Sequence, residues 1–123
     1  GKIIVSPNLN TLVIRKTKEL KMLSFPGVFT ASECFDALDA GADGLKFFPA
    51  SLMGPLGLKA MLAVLPIGTK TYAVGGSGPN NFVDWFAAGV TGFGIGTAIY
   101  KPGDGADMVA KKAAAIVLAY DAG

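Results

Sequence analysis

Apolar residues occur in short runs that alternate with longer amphipathic stretches, and the alternation repeats five times along the chain. The runs cover residues 3–6, 22–25, 44–48, 71–74 and 92–95, and each stops at a breaker: Pro7, Pro26, Pro49, Gly75 or Gly96. Runs of this length with such ends read as strands. The stretches between them carry helix signals. Asn10 is placed to cap a helix through Glu19, and Thr30 with Glu33 three residues on has capping-box spacing, with Gly41 behind it as a C′ residue. Pro55 reads as a first helical residue ahead of Leu58, Met61, Leu62 and Leu65. Pro79 reads the same way ahead of Phe82, Val83 and Phe86, with Gly89 as the stop, and Asp104 is expected to open a last helix through Tyr120. Trp85 and Phe86, at helical spacing from Phe82, are expected to pack that helix on the sheet.

Five strands alternating with five helices over short loops predict a parallel α/β sheet. Five units in 123 residues repeat about every 25 residues, and eight such units come to about 200, the small end for (β/α)8 barrels. The expected fold is therefore a (β/α)8 TIM barrel, with residues 1–123 forming about its last five βα units. A five-unit arc would leave two strand edges unpaired, at residues 3–6 and 92–95. An N-terminal portion of about three βα units is thus expected to complete the barrel. An open flavodoxin-like sheet of five strands is the alternative, and it gives no reason for the lysine discussed below.

Composition narrows the partners. Hydrophobic residues are 51% of the chain and charged residues 16%, which excludes disorder and a charge-driven tail. The net charge is +2 with no basic run beyond Lys111-Lys112, so nucleic acid is not expected as a partner. The longest apolar run, residues 113–120, is far short of the roughly 18–20 residues that span a bilayer, so no membrane partner is expected either. One cysteine, Cys34, excludes an internal disulfide framework and suits a reducing cytoplasm. It has no basic neighbour and reads as a small buried residue. Histidine is absent, which removes imidazole bases and His-ligated metal. Neither metal nor cofactor is expected. Chemistry must come from lysine, carboxylates, hydroxyls or the backbone.

Of eleven basic residues, ten sit before strands or on helices. Lys46 lies inside Leu45-Lys46-Phe47-Phe48, the most apolar strand. Side chains alternate, so Lys46 and Phe48 face one way and Leu45 and Phe47 the other. An ammonium held in an apolar wall loses solvation, which lowers its pKa and frees the neutral amine that forms Schiff bases with carbonyls. A lysine whose head snorkels out at the strand end is the competing reading.

Glycine supplies the second constellation. Gly75-Gly76-Ser77-Gly78 follows the fourth strand, and Gly94-Ile95-Gly96-Thr97 ends the fifth. Glycines let backbone N–H groups approach an anion, and barrels of this type often hold phosphate on their last two loops. Tight turns with a purely structural role would use the same residues. A carboxylate base is missing from the pattern. Seven of nine fall on predicted helices or their ends, Asp43 precedes a strand, and Asp104 reads as a cap.

The segment Gly44-Leu45-Lys46-Phe47-Phe48-Pro49-Ala50, followed by Gly54-Pro55, resembles the 2-keto-3-deoxy-6-phosphogluconate and 2-keto-3-deoxy-6-phosphogalactonate aldolases. The likeness runs on through Val5-Ser6-Pro7-Asn8, Phe25-Pro26-Gly27, Ala73-Val74-Gly75-Gly76 and Gly94-Ile95-Gly96-Thr97. It implies a class I aldolase on a (β/α)8 barrel, a homotrimer without cofactor, splitting a phosphorylated keto-deoxy sugar acid into pyruvate and glyceraldehyde 3-phosphate. By this resemblance Lys46 is the catalytic Schiff-base residue, and Phe48 lines the pocket. Gly75, Gly76, Ser77, Gly96 and Thr97 hold the phosphate. The general base and the carboxylate-binding residues fall on the family's first three strands, before this segment begins. Val74 points to the phosphogalactonate substrate, because gluconate-type relatives tend to carry threonine there. A phosphate-binding barrel resembling thiamine phosphate synthase fits the glycine loops equally well and leaves Lys46 without a role.

Overall fold

The computed structural model describes all of residues 1–123. Six short strands and five helices follow one another: β1 (Ile3–Val5), α1 (Thr11–Glu19), β2 (Leu23–Phe25), β3 (Gly27–Val28), α2 (Ala31–Asp39), β4 (Leu45–Phe47), α3 (Ala50–Leu62), β5 (Thr71–Val74), α4 (Phe82–Ala88), β6 (Gly92–Gly94) and α5 (Ala106–Asp121). Every strand pairing is parallel. β1 pairs with β2, and the other four pair in the order β3-β4-β5-β6.

The second strand does not end at Pro26 as expected. β2 and β3 are two halves of one path through the sheet, joined at that proline. Pro26 has no N–H to give, but its carbonyl accepts from Lys46 N–H at 2.9 Å, and Ser24 O accepts from Asp43 N–H at 3.0 Å. Both bonds reach toward β4, so the five strand positions run in chain order from β1 to β6. That sequential order, with helices on a single face, excludes the flavodoxin-like alternative, which is wound on both faces with its order reversing.

The helices form where the sequence provides ends for them. Asn10 Oδ1 accepts from Leu12 N–H at 3.0 Å and Val13 N–H at 3.3 Å. The Thr30–Glu33 capping box is complete, with Glu33 Oε2 accepting from Thr30 N–H at 2.8 Å and Thr30 Oγ1 from Glu33 N–H at 3.3 Å. The bond from Thr30 N–H heads the causes that hold the Glu33 carboxyl below its usual pKa. Two expected helix starts are shifted. Pro79 lies in the turn closed by Asn81 N–H on Gly78 O, and α4 begins after it at Phe82. Asp104 does not cap α5, whose N-cap is Gly105. Its carboxylate instead accepts from Lys101 N–H at 2.9 Å and from Lys112 Nζ at 2.5 Å, closing the preceding loop. In α3 the first turn breaks at Gly54 (φ 68°), and Pro55 restarts the helix as expected.

One layer of core lies between sheet and helices. Leu45, Phe47 and Ala73 project from the strands onto Ile14, Cys34, Ala37, Leu58 and Trp85 of α1 to α4, all buried. Cys34 is fully buried there, and burial pushes its thiol up to about 11, which fits an inert packing residue. The helix α5 docks by Tyr120 against Phe86 and Phe93. The opposite face of the sheet has no helix over it. Ile3 and Val5, on that face, are 51% and 56% exposed, and the β1 and β6 edges are both unpaired.

Candidate active site

Strand alternation puts Lys46 on the helix-free face. In register it lies between Gly27 of β3 and Tyr72 of β5. It lines a hollow of about 340 Å³ with Ile3, Val5, Phe25, Tyr72 and Val74. The Phe25 and Tyr72 rings meet edge to face, centroids 5.3 Å apart, although β4 runs between their strands. They can do so because Gly44 lies beneath them. A Cβ there would stand 2.8 Å from Tyr72 Cε2 and 2.9 Å from Phe25 Cε1. Gly92 gives the same ring room on its other side, where a Cβ would be 3.2 Å away, and Gly94 does so for Val74, at 2.6 Å from Cγ2. Large side chains therefore lean over glycines of the neighbouring strands.

In this wall the Lys46 amine loses hydration, and its pKa falls below the ordinary 10.5 with desolvation as the cause. Its Nζ stands 4.7 Å from the centroid of the Phe48 ring. No carboxylate lines the hollow, so nothing nearby holds the amine in its charged form.

At the C-terminal ends of β5 and β6 a second cleft of about 560 Å³ opens. Phe48, Val74, Gly75, Gly76, Ser77, Gly96 and Thr97 all line it. Val74 and Gly94 border both spaces, so the amine and the glycine cleft are neighbours across β5. Gly75 and Gly76 have φ of +92° and +82°, the left-handed region that a side chain disfavours. The N–H groups of Gly75, Gly76 and Ser77 make no backbone hydrogen bond. Ser77 Oγ is buried there without a partner, a costly state for a hydroxyl unless a ligand meets it. Such a cleft, rich in free donors and without a carboxylate, suits an anion.

All nine carboxylates lie elsewhere: Asp43 and Asp104 in loops, the others on helices. Asp43 accepts from Lys18 Nζ at 2.6 Å and from Ser24 N–H at 2.8 Å, tying α1 to the entry of β4. Nowhere do three Asp, Glu or Cys side chains gather as a metal would need. No helix is long and apolar enough to cross a membrane.

Residues 1–114 match the family model for the KDPG and KHG aldolases. The chain belongs to that family. It is 48% identical over 122 residues to a probable 2-dehydro-3-deoxy-6-phosphogalactonate aldolase of Rhizobium meliloti, covering 99% of this chain and 58% of the relative. It is 44% identical over 119 residues to the 2-dehydro-3-deoxy-6-phosphogalactonate aldolase of Escherichia coli, covering 97% and 58%. A solved structure described as native KDPGal superposes with a TM-score of 0.96 at 44% identity, over 98% of this chain and 59% of the other. The chain thus spans somewhat under three-fifths of the length of these aldolases. The strand arc is a partial barrel of the aldolase type, as the repeat length led one to expect.

Within this aldolase fold Pro79, Asn80, Asn81 and Ala98 also line the cleft without having been singled out as site residues in the sequence, and one of them stands out. Asn81 lines the cleft and ties the glycine loop twice. Its Nδ2 donates to Gly76 O at 2.9 Å, and its Oδ1 accepts from Gly78 N–H at 3.1 Å. The signal available was an asparagine closely following a glycine cluster and preceding a helix.

Proposed function

We propose that this chain carries the reactive lysine and the phosphate-holding loops of a class I aldolase that splits 2-keto-3-deoxy-6-phosphogalactonate into pyruvate and glyceraldehyde 3-phosphate. The observation that carries the reading is Lys46, a desolvated amine in an apolar wall with no carboxylate beside it, one strand from a donor-rich cleft. The names of the Rhizobium and Escherichia relatives support the substrate.

The unprotonated Lys46 Nζ adds to the C2 ketone, and loss of water from the carbinolamine leaves a protonated imine. The C3–C4 bond then breaks with its electron pair flowing into the imine, which becomes an enamine. The C4 hydroxyl gives its proton to a base, and C4 leaves as the aldehyde carbon of glyceraldehyde 3-phosphate. Protonation at C3 and hydrolysis of the imine release pyruvate and restore the amine. No cofactor takes part in these steps. The Phe48 ring covers one side of the amine. The Gly75-Gly76-Ser77 and Gly96-Thr97 segments hold the phosphate by backbone N–H groups. Val74 borders both spaces, and on this reading it meets the substrate at C4, where the galactonate and gluconate forms differ.

No carboxylate lines either space, so we assign the base to about three further βα units. These would also cover Ile3 and Val5 and pair the two open edges. On this reading residues 1–123 form the C-terminal part of a single barrel and are inactive alone. The assembly proposed, by family likeness, is a cytoplasmic homotrimer. A phosphate-binding barrel without imine chemistry remains the second reading, since the cleft alone suits it.

Borohydride reduction of the complete protein with pyruvate, followed by peptide mass mapping, separates the two. An adduct on Lys46 is expected. An adduct on another lysine, or on none, would remove the aldolase reading and leave the phosphate-binding one.

A further inference from the structure

We propose that Asn81 is the positioning residue of the anion loop: its carboxamide sets the direction of the Ser77 N–H rather than touching the reacting atoms. The proposal rests on the anion-site part of the reading above and deepens it.

In a planar trans peptide the carbonyl and the following N–H point in opposite directions. Fixing the carbonyl of one residue therefore aims the N–H of the next. Gly75 O accepts from Ser51 N–H at 2.9 Å, which aims the Gly76 N–H. Gly76 O accepts from Asn81 Nδ2 at 2.9 Å, which aims the Ser77 N–H. Both aimed N–H groups make no backbone hydrogen bond, and both residues line the cleft.

The second bond of Asn81, from Gly78 N–H to Oδ1 at 3.1 Å, fixes the loop beyond Ser77. It also fixes which way the amide faces, because a carbonyl needs the NH2 end and an N–H needs the oxygen. One neutral side chain thus brackets Ser77 on both sides. Without it the peptide between Gly76 and Ser77 has no tie of its own, and Gly75 and Gly76 are the least restricted residues available. Ser77 Oγ, buried in the same bracket without a partner, is a further donor for the ligand that the held loop receives.

Asparagine is suited to this task because it both donates and accepts without charge. Aspartate would keep the Gly78 bond but present an oxygen to Gly76 O and a negative charge to the anion. Alanine would lose both ties.

The test uses the complete protein, inorganic phosphate as the probe, and the variants Asn81→Ala and Asn81→Asp. Phosphate affinity is expected to fall about tenfold in Asn81→Ala and further in Asn81→Asp, with the KM for the phosphorylated keto acid rising in parallel. Pyruvate carries no phosphate, so its trapping at Lys46 should fall much less than the phosphate affinity does. Asn81→Asp keeps the Gly78 tie and serves if the alanine variant does not fold. Phosphate affinity within twofold of the parent in the variant that folds overturns the proposal. So does an equal loss of pyruvate trapping, which would mark Asn81 as a general prop, and so does a parent protein that binds no phosphate. If phosphate binding depends on Asn81 while no imine forms at Lys46, the aldolase reading fails and the role of Asn81 stands.

Discussion

Gly75, Gly76 and Gly78, in the loop after β5, differ in what a methyl group would meet, so alanine substitutions along the loop proposed to hold the phosphate form a graded series. Gly78 is outside the left-handed region, with nothing within 4 Å of the added Cβ. Gly78→Ala should leave stability unchanged or raise it by about 0.4–1 kcal/mol through the unfolded chain. Gly75 has φ +92°, with its nearest contact, the Phe48 ring, at an ordinary 3.4 Å. Gly75→Ala should therefore destabilise by about 1–2 kcal/mol, the strain of the left-handed region alone. Gly76 combines φ +82° with a Cβ only 2.7 Å from Ser51 Cβ. That atom is fixed to the backbone and cannot swing aside, so Gly76→Ala adds an overpacking cost and should reach about 2–5 kcal/mol. Displacing Ser51 also disturbs its N–H bond to Gly75 O, so phosphate affinity should fall at least about tenfold, equivalent to roughly 1.4 kcal/mol. Denaturant unfolding and phosphate titration of the complete protein read both quantities. The reasoning is wrong if Gly78→Ala is as harmful as Gly76→Ala, or if Gly76→Ala binds phosphate as the parent does.

Because the folded state lowers the Lys46 pKa, the unfolded chain binds more protons between that value and the ordinary 10.5, and stability should rise with pH across the window. Lys46→Met should flatten this rise, be no less stable near neutrality, and form no pyruvate adduct; an unaltered pH slope would show that the amine is not desolvated. Val74→Thr should shift the ratio of kcat/KM for the two sugar acids toward the gluconate form, and an unchanged ratio would remove Val74 from the choice of substrate. Residues 1–123 expressed alone should not cleave the phosphorylated keto acid, and a soluble, active product would refute both the assigned base and the need to cover the open edges.

Local signals along the chain carried most of the fold. The caps at Asn10 and Thr30, the restart at Pro55 and the stop at Gly89 depend on a few adjacent residues, so sequence spacing was enough to place them. Lys46 was legible for a similar reason: alternation assigns a face without knowledge of the neighbours. What escaped depended on contacts between segments. Pro26 reads as a terminator because it lacks an N–H, yet its carbonyl continues the ladder to Lys46 once β4 lies alongside. Asp104 has the residue type of a cap, but Lys112 and the Lys101 N–H claim its carboxylate first. Asn81 drew no notice in the sequence because its two bonds acquire meaning only when Ser51 is seen tying the neighbouring carbonyl.

The glycines beneath the large inward side chains carry a consequence for how the hollow beside Lys46 can change shape. Tyr72 is seated over Gly44 and Gly92, and Val74 over Gly94. Gly44 and Gly92 are absent from the linings of both spaces, yet they determine where Tyr72 can rest. The outline of the pocket is therefore set partly from behind. A single methyl added on a neighbouring strand would tilt a wall of the Lys46 hollow while leaving its lining residues chemically intact. Amine and outline are in this way separable by position: Lys46 is fixed by its own strand, and the shape of the hollow around it is adjusted from the strands on either side.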